Sequence, residues 1–370
     1  MTNAAEFRSF AADLLAWMDA VGEGNNVADR FPTLAWRLFG LQSECVSPLR
    51  DLCRARGIAR DALRDWRDIP VVPTRAFKEF SITSLSPDQQ TAEFRSSQTT
   101  GRDFSRCSHD PESLALYERS ALTWFRVAQG LRPGDRRRVL VLTPPKAEAP
   151  HSSLVHMFDL ICRAHGDEGS AFLSAGDSTG AWVLAAEAAW AALREAAAGS
   201  TPVLLLGTAF SFVHLLEGRP TGQPPVRLPT GSFVLETGGY KGRSRELPKS
   251  DLHAALGKAL GLAPQCVRTE YGMCELSSQA YDTFRGDPPA GPRVFRFPPW
   301  ARAVVVSPET GREVADGESG LLRVYDLANV RSVLAIETED LAVRCGAGFE
   351  LLGRAARAEP RGCSLMPAAT

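Results

Sequence analysis

Three stretches, far apart in the sequence, combine residue types that bind anions, metal ions and flat rings. They are residues 96–101 (SSQTTG), 270–279 (EYGMCELSSQ) and 336–340 (IETED). The first offers hydroxyl groups and a glycine, the second offers Tyr271 and Glu275, and the third ends on Asp340. Hydroxyls, a ring and carboxylates are together what a phosphate-bearing, aromatic ligand with a divalent cation would require.

The hydroxyl-rich stretch predicts phosphate binding only in combination with the other two. Such a loop can turn several N–H and hydroxyl groups toward an anion, and the groups in question are those of Ser96, Ser97, Thr99, Thr100 and Gly101. A Ser/Thr-rich turn is more often only a turn, so by itself the pattern is weak.

The second stretch is the most specific feature of the chain. It follows a predicted strand over residues 266–270, so Tyr271 stands where an aromatic ring can lie against a purine. Glu275 supplies a carboxylate beyond the turn, suited to Mg²⁺ beside phosphates. Gly238 and Gly239 end an earlier predicted strand and would let the backbone approach a flat ligand, although a tight turn needs the same glycines.

Taken together, the three stretches resemble the nucleotide-binding signatures of adenylate-forming enzymes, and most closely those of LuxE-type acyl-protein synthetases, relatives of the phenylacetate-CoA ligases. The resemblance covers residues 69–366 and implies ATP and Mg²⁺ as cofactors. It also implies that Asp340 and Arg354 hold the ribose, that Glu275 binds the metal, and that Thr99 acts in catalysis. Tyr271, Gly238 and Gly239 are implied to frame adenine, and Gly272 and Met273 are implied to bind the cofactor as well.

The chain departs from the family pattern at two places. Gln98 replaces a usual glycine, and no Pro-Lys pair follows Gly101, so a basic phosphate contact would come from Arg102 or Arg106. Sixteen residues follow the Gly-Arg pair at Arg354, which resembles the hinge before the mobile lid of these enzymes. We therefore expect that lid to be truncated.

Cys363 lies in the short C-terminal stretch, where LuxE-type synthetases are similar in carrying an acyl-accepting cysteine. A thiolate is a good nucleophile toward an acyl-adenylate, and Arg361 would favour the ionised form. A free thiol at a frayed terminus is the equally weighted alternative. Residues 151–154 (HSSL) are a candidate wall of the acyl pocket, or else a helix cap beside a surface histidine.

Periodicity predicts an α/β fold. Helices over residues 110–129, 153–165, 181–198, 210–216 and 251–262 alternate with strands over 138–143, 202–207, 232–236 and 266–270. Such alternation indicates a mostly parallel sheet with helices on its faces. Beyond Pro298 only strands follow, over residues 303–306, 312–314, 321–325, 332–336 and 341–344, so a small antiparallel unit should close the large domain.

These patterns divide the chain into four predicted parts: an N-terminal helical lead (1–68), an α/β adenylate-forming core (69–300), a small β subdomain (301–354) and a tail (355–370). A net charge of −1 gives no general attraction to nucleic acid. No apolar run approaches the length of a membrane span, and the eight scattered cysteines suit reduced thiols. We expect a cytoplasmic protein.

The predicted function is ATP-dependent activation of a carboxylic acid, specifically a fatty acid, and its transfer to a protein cysteine. A second hypothesis keeps the acyl-adenylate but passes the acyl group to coenzyme A or a carrier-protein thiol. A third is a relative that binds nucleotide or a partner protein without catalysis. The resemblance also implies an acyl reductase or an acyl carrier protein as a partner.

Overall fold

The computed structural model describes residues 3–96, 104–177, 181–222, 224–238, 247–288 and 293–354. Within these ranges the helices are α1 (Asn3–Gly22), α2 (Phe31–Cys45), α3 (Ser47–Ala55), α4 (Ala76–Glu79), α5 (Pro111–Gln129), α6 (Ser153–His165), α7 (Ala186–Ala198), α8 (Ala209–Glu217) and α9 (Lys249–Leu260). The strands are β1 (Val72–Pro73), β2 (Ala92–Arg95), β3 (Arg106–His109), β4 (Arg138–Val141), β5 (Ala171–Phe172), β6 (Ser174–Gly176), β7 (Trp182–Leu184), β8 (Val203–Thr208), β9 (Phe233–Thr237), β10 (Val267–Tyr271), β11 (Ala280–Tyr281), β12 (Ala301–Val306), β13 (Ser319–Asp326), β14 (Ala335–Cys345) and β15 (Gly348–Arg354).

The larger sheet has six strands in the order β11-β10-β9-β8-β4-β5. The strands from β10 to β5 are parallel to their neighbours, and β11 pairs antiparallel with β10 at one edge. Parallel neighbours require crossover connections, and helices α6 to α9 lie in them. All the parallel strands therefore end at one edge of the sheet, where ligands collect in this class of fold.

Alternation along the central strands produces two separate apolar layers. Val139, Val141, Leu204 and Leu206 belong to the cluster that contains Phe125 of α5. The residues between them face the other way and pack with helices α7 to α9; this second set includes Leu140, Leu205, Val234, Trp190, Phe212 and Leu256. Because successive side chains of a strand point to opposite faces, near-continuous apolar strands imply helices on both sides.

A second sheet of five strands closes the molecule. Its path is β1-β14-β13-β12, and β15 pairs with β14. Strand β1 is parallel to β14 and the other pairs are antiparallel. The predicted fold class, a layered α/β domain with a smaller β unit, is confirmed.

The N-terminal helices pack on this framework through large apolar residues. Phe10, Leu14 and Trp17 of α1 are buried in the same cluster as Phe125 of α5. The buried side chain of Gln42 in α2 donates to the carbonyl oxygen of Asn329 at 2.7 Å and accepts from the Leu334 amide at 2.9 Å. Helix α2 thereby fixes the turn between β13 and β14.

Three local predictions are wrong. Residues 182–184 form β7, so the helix predicted from residue 181 begins at Ala186. The strands predicted over 332–336 and 341–344 are one strand, β14, and Asp340 therefore lies within a strand rather than at its end. No strand forms over residues 312–314, where Glu313 makes only an isolated bridge with Val306. Strand β1 was not predicted from the sequence, and it forms because β14 offers a parallel edge.

The division of the chain into residues 1–68, 69–300, 301–354 and 355–370 stays a prediction. Strand β1, from the second of these parts, pairs with β14, from the third. No helix in the described ranges combines the length and apolar character needed to cross a membrane.

Candidate active site

The ends of β10 and β15 and the middle of β14 bring together three residues predicted to contact a nucleotide. The Tyr271 hydroxyl donates a hydrogen bond of 2.7 Å to Oδ2 of Asp340. Asp340 is the register partner of Arg354 in the β14–β15 pair, and the guanidinium of Arg354 acts on the Asp340 carboxyl electrostatically. Asp340 and Arg354, which follow Tyr271 by 69 and 83 positions in the chain, thus meet it at one place. Sequence reasoning expected this only through the resemblance.

Burial changes the pKa values of Asp340 and Tyr271. It raises the pKa of Asp340, while the hydrogen bond from Tyr271 and the charge of Arg354 act in the opposite direction. Burial also raises the pKa of Tyr271 well above its ordinary value, and the neighbouring Asp340 adds to that shift. Tyr271 therefore stays a neutral donor, and Asp340 keeps an oxygen that can accept from a further hydroxyl group.

An aromatic cluster surrounds the Tyr271 ring. The ring of Phe349 lies 5.3 Å from it, edge-on, and those of Phe295 and Phe297 lie at 6.0 and 6.2 Å. Phe295 and Phe349 stack at 5.4 Å. These contacts fix the orientation of the tyrosine, because edge-to-face and offset-stacked pairs are the favoured aromatic geometries.

The hydroxyl-rich stretch connects β2 and β3, a hairpin that sequence reasoning missed. Backbone pairing from Arg95 to Arg106 closes it, and the Ser96 hydroxyl accepts from the Ser105 amide at 2.9 Å. Of the two arginines proposed to contact phosphate, Arg106 is exposed and lies over the Phe104 ring at 4.5 Å. Arg95 and Ser96 are therefore held to Ser105 and Arg106, on either side of residues 97–103.

The segment after β10 adjoins this hairpin. The Cys274 thiol donates to the Ser105 carbonyl oxygen at 3.8 Å, and Cys274 packs with Phe94 and Tyr117. Glu275 is 5% exposed, and its carboxylate accepts from the Cys274 thiol at 3.2 Å. The predicted metal ligand therefore lies next to the base of the predicted phosphate loop.

The surroundings of Glu275 fit a metal ion completed by a substrate. No salt bridge within the described ranges involves Glu275, and a buried carboxylate without a cation is costly. No cluster of three or more metal-ligating side chains occurs there either. Mg²⁺ is commonly held by one or two carboxylates together with phosphate oxygens and water, so a single carboxylate at this position suffices.

Two glycines border the site for different reasons. Gly238 follows β9 with φ of +67°, in the left-handed region, and β9 pairs with β10 so that Thr237 lies opposite Glu270. Gly272 has no such backbone requirement, but a Cβ atom there would lie 2.4 Å from Oε1 of Glu270. Gly272 thus permits the Glu270 side chain to fold under the turn. Met273, partly buried, packs against the main core.

Sequence reasoning also missed two buried carboxylates at the ends of β9 and β10. Glu236 is fully buried, and its Oε2 lies 3.3 Å from Nζ of Lys249 and 3.4 Å from Nε2 of His253. Glu270 accepts a short hydrogen bond from the Thr237 hydroxyl, and burial raises its pKa to about 7. The available signal was that β9 and β10 each carry a glutamate next to a threonine near the strand end.

Several predicted site residues lie outside the described ranges. They are Ser97, Thr99, Thr100, Gly101, Gly239 and Cys363, together with Gln98, Arg102 and Arg361. Ser152 caps α6 by accepting from the Val155 amide, and exposed His151 contacts the Glu93 carbonyl oxygen at 3.0 Å. The helix-cap interpretation of residues 151–154 is therefore confirmed. Their role in an acyl pocket stays a prediction.

Comparison with known proteins gives one family match and a set of structural neighbours. The model of the family described as "Acyl-protein synthetase, LuxE" matches residues 42–369. The long-chain-fatty-acid–luciferin-component ligase of Vibrio harveyi is 23% identical over 335 residues, which cover 85% of this chain and 81% of that protein.

Solved structures that resemble this chain include a 2-hydroxyisobutyryl-CoA ligase and MatB. An open conformation of 2-hydroxyisobutyryl-CoA ligase in complex with 2-HIB-AMP and CoA aligns with a TM-score of 0.62 at 14% identity, covering 86% of this chain and 69% of that one. ATP-bound MatB from Rhodopseudomonas palustris aligns with a TM-score of 0.45 at 19% identity. The chain spans about half the length of MatB, covering 50% of it with 74% of its own residues. The alignment with 2-hydroxyisobutyryl-CoA ligase supports the fold.

Proposed function

Since the chain belongs to the LuxE acyl-protein synthetase family of adenylate-forming ligases, we propose that it activates a fatty acid with ATP and transfers the acyl group to a protein cysteine. The observation that carries this proposal is the meeting of Tyr271, Asp340 and Arg354 beside Glu275 and the hairpin loop. A nucleotide whose ribose contacts Asp340 and whose phosphates reach residues 96–101 would span this arrangement.

In the first step a carboxylate oxygen of the acid attacks the α-phosphorus of ATP. An O–P bond forms, the bond to the β-phosphate breaks, and pyrophosphate leaves. Ser96, Ser97, Thr99, Thr100 and Gly101 hold the departing phosphates, and the partly buried Asp340 with Arg354 orients the ribose. Tyr271, Gly238, Gly239, Gly272 and Met273 border the adenine. Most of this work is positioning.

Glu275 is the residue that would hold Mg²⁺ in this scheme. The metal, when bound, offsets negative charge on the phosphate oxygens as it builds up toward the leaving group. The side chain has no cationic partner in the part of the chain that the structure describes, so its charge is available for this role.

In the second step the Cys363 thiolate attacks the acyl carbon of the mixed anhydride. A C–S bond forms, the C–O bond to AMP breaks, and AMP leaves with the electron pair, while the thiol proton has gone to solvent. The seven cysteines within the described ranges are free thiols. Burial raises the pKa of Cys107 to about 12 and that of Cys274 well above its ordinary value, so neither suits the nucleophile.

The test is the intact mass of the protein after incubation with ATP, Mg²⁺ and a panel of fatty acids. We expect an acyl adduct on the wild type that hydroxylamine removes and that Cys363→Ser lacks. Cys345→Ser is the matched control, because Cys345 is a partly buried thiol on β14 and should leave the adduct intact.

Other outcomes separate the remaining hypotheses. Acid-dependent release of AMP with no adduct on either protein would move the acceptor to coenzyme A or a carrier-protein thiol. Nucleotide binding without any acid-dependent pyrophosphate release would indicate a non-catalytic relative. An acyl reductase or acyl carrier protein as partner and a cytoplasmic location are part of the proposal and are tested by co-purification from cells and by fractionation.

A further inference from the structure

The segment that carries Glu275 is braced from behind by a turn of the second sheet. Asp326, the last residue of β13, is fully buried and accepts four hydrogen bonds. Its donors are the Ser277 amide at 2.9 Å, the Ser278 amide at 2.7 Å, the Ser278 hydroxyl at 2.7 Å and the Ala328 amide at 3.0 Å. One carboxylate thus satisfies two adjacent backbone N–H groups two and three residues after Glu275.

A second residue of the same turn reaches Glu275 directly. The Asn329 side-chain amide donates to the Glu275 carbonyl oxygen at 2.9 Å and to that of Val333 at 3.2 Å. The turn is held in its own place by Gln42 of α2, which bonds Asn329 and Leu334. The segment from Glu275 to Ser278 is therefore tied to this turn of the second sheet through the side chains of Asp326 and Asn329.

We expect the hydrogen bonds of Asp326 and Asn329 to affect metal binding as well as stability. Because Mg²⁺ requires near-ideal octahedral geometry at short distances, a displaced carboxylate binds it poorly. A metal ligand is therefore sensitive to the groups that orient it.

We propose that Asp326 and Asn329 are positioning residues that hold the Glu275 carboxylate in the orientation in which it would bind Mg²⁺ beside the nucleotide phosphates. The inference rests on the proposed function, since it assigns the metal to Glu275. Neither residue touches the nucleotide; both act through the backbone of residues 275–278.

The experiment measures ATP binding to the full chain by calorimetry, once with MgCl₂ and once with EDTA. The ratio of the two dissociation constants is the gain from the metal. For Asp326→Asn we expect that gain to fall about tenfold or more, as is usual when an outer partner of a metal ligand is lost, while binding in EDTA changes little. Glu275→Gln should abolish the gain.

Asp282→Asn is the matched control for burial. Asp282 is 3% exposed and accepts from the Thr269 amide and from Arg293, both at 2.8 Å, so it braces β10 without touching residues 275–278. We expect this variant to lose thermal stability and to keep the gain from Mg²⁺. A purely structural role for Asp326 would make the two variants behave alike.

Asn329→Ala keeps the test decisive should Asp326→Asn not fold. It removes the donor to Glu275 and should lower the gain in the same direction by a smaller factor. If Asp326→Asn or Asn329→Ala folds and still shows the wild-type ratio of the two dissociation constants, the inference is overturned. The proposed function then remains standing. A wild type that binds ATP equally in MgCl₂ and EDTA overturns the metal role of Glu275, and the inference with it.

Discussion

Two buried carboxylate sites flank the segment after β10, and they differ in how many donors reach them. Asp326 accepts four hydrogen bonds, and its pKa is nevertheless raised to about 6 by burial. Glu236 and Glu270 lie together on β9 and β10, and Oε1 of Glu236 has no partner within the described residues. The first site is complete without a ligand, whereas the second retains unused hydrogen-bonding capacity.

The comparison distinguishes buried polar groups that fix the backbone from buried polar groups that can still gain a proton or a hydrogen bond. A fully satisfied buried carboxylate fixes the backbone around it, because its loss would leave several buried N–H groups without acceptors. Glu270, whose pKa burial raises, can take up a proton, and Oε1 of Glu236 can accept a further donor. Tyr281 and Gln279, also buried near β10, each have an oxygen without a partner among the described residues. Oδ1 of Asn329, in the turn after Asp326, also has no partner among the described residues, so such groups occur on both sides.

The largest expected effect follows from removing the satisfied carboxylate. Asp326→Ala leaves the Ser277, Ser278 and Ala328 amides without acceptors, and we expect the free energy of unfolding to fall by about 4 kcal/mol. Urea denaturation measures it. A loss below about 1 kcal/mol would mean that water replaces the carboxylate and that the two sites do not differ in the way described.

The second prediction concerns pH and Glu270. Burial, with the charge of Glu236, raises the pKa of Glu270 from 4.5 to about 7, so between these values the folded state binds more protons than the unfolded state. Stability from this group is thus complete below about pH 4.5 and is lost as the pH rises to about 7. Glu270→Gln lacks this dependence.

We therefore expect the wild type to lose about 3 kcal/mol of stability relative to Glu270→Gln between pH 4.5 and pH 7. Chemical denaturation of both proteins across this range provides the measurement, and the difference between them cancels all other titrating groups. A constant difference would show that Glu270 has an ordinary pKa and that Lys249 already neutralises the pair.

The smallest expected effect concerns the nucleotide contact itself. Tyr271→Phe removes the donor to Asp340 and keeps the ring among Phe295, Phe297 and Phe349. We expect a loss of about 1 kcal/mol in stability. Thermal denaturation with and without ATP measures it, and an unchanged stabilisation by ATP would argue that the ring, not the hydroxyl, carries the contact.

Sequence alone predicted much of the fold but fewer of the contacts. The alternation of apolar strands and helices predicted the parallel sheet, because each strand buried on both faces must be covered by helices. It failed at residues 182–184 and at β1, which are strands only because a neighbouring strand offers an edge. It likewise divided β14 at its acidic residues, since exposed charges interrupt the apolar period of a strand that is half-buried.

The candidate site shows the same limit. The residue types of Tyr271, Glu275 and Asp340 indicated ligand chemistry, and their resemblance to a family suggested that they meet. No pattern in the sequence indicated that Asp326 braces Ser277 and Ser278, because the two elements are 48 residues apart or more. The placement of Glu236 opposite Thr269 and of Glu270 opposite Thr237 was likewise not visible in the sequence, because it depends on the register of β9 and β10.

The sequence by itself determined which groups are available: hydroxyls near Ser96, an aromatic ring at the end of β10, and carboxylates on either side of it. It also determined the layered fold, through the periodicity of apolar residues. The tertiary structure decided which carboxylates are satisfied and which are not. Hydrogen bonding and burial depend on neighbours brought together by strand register and sheet packing, and these are properties of the whole folded chain.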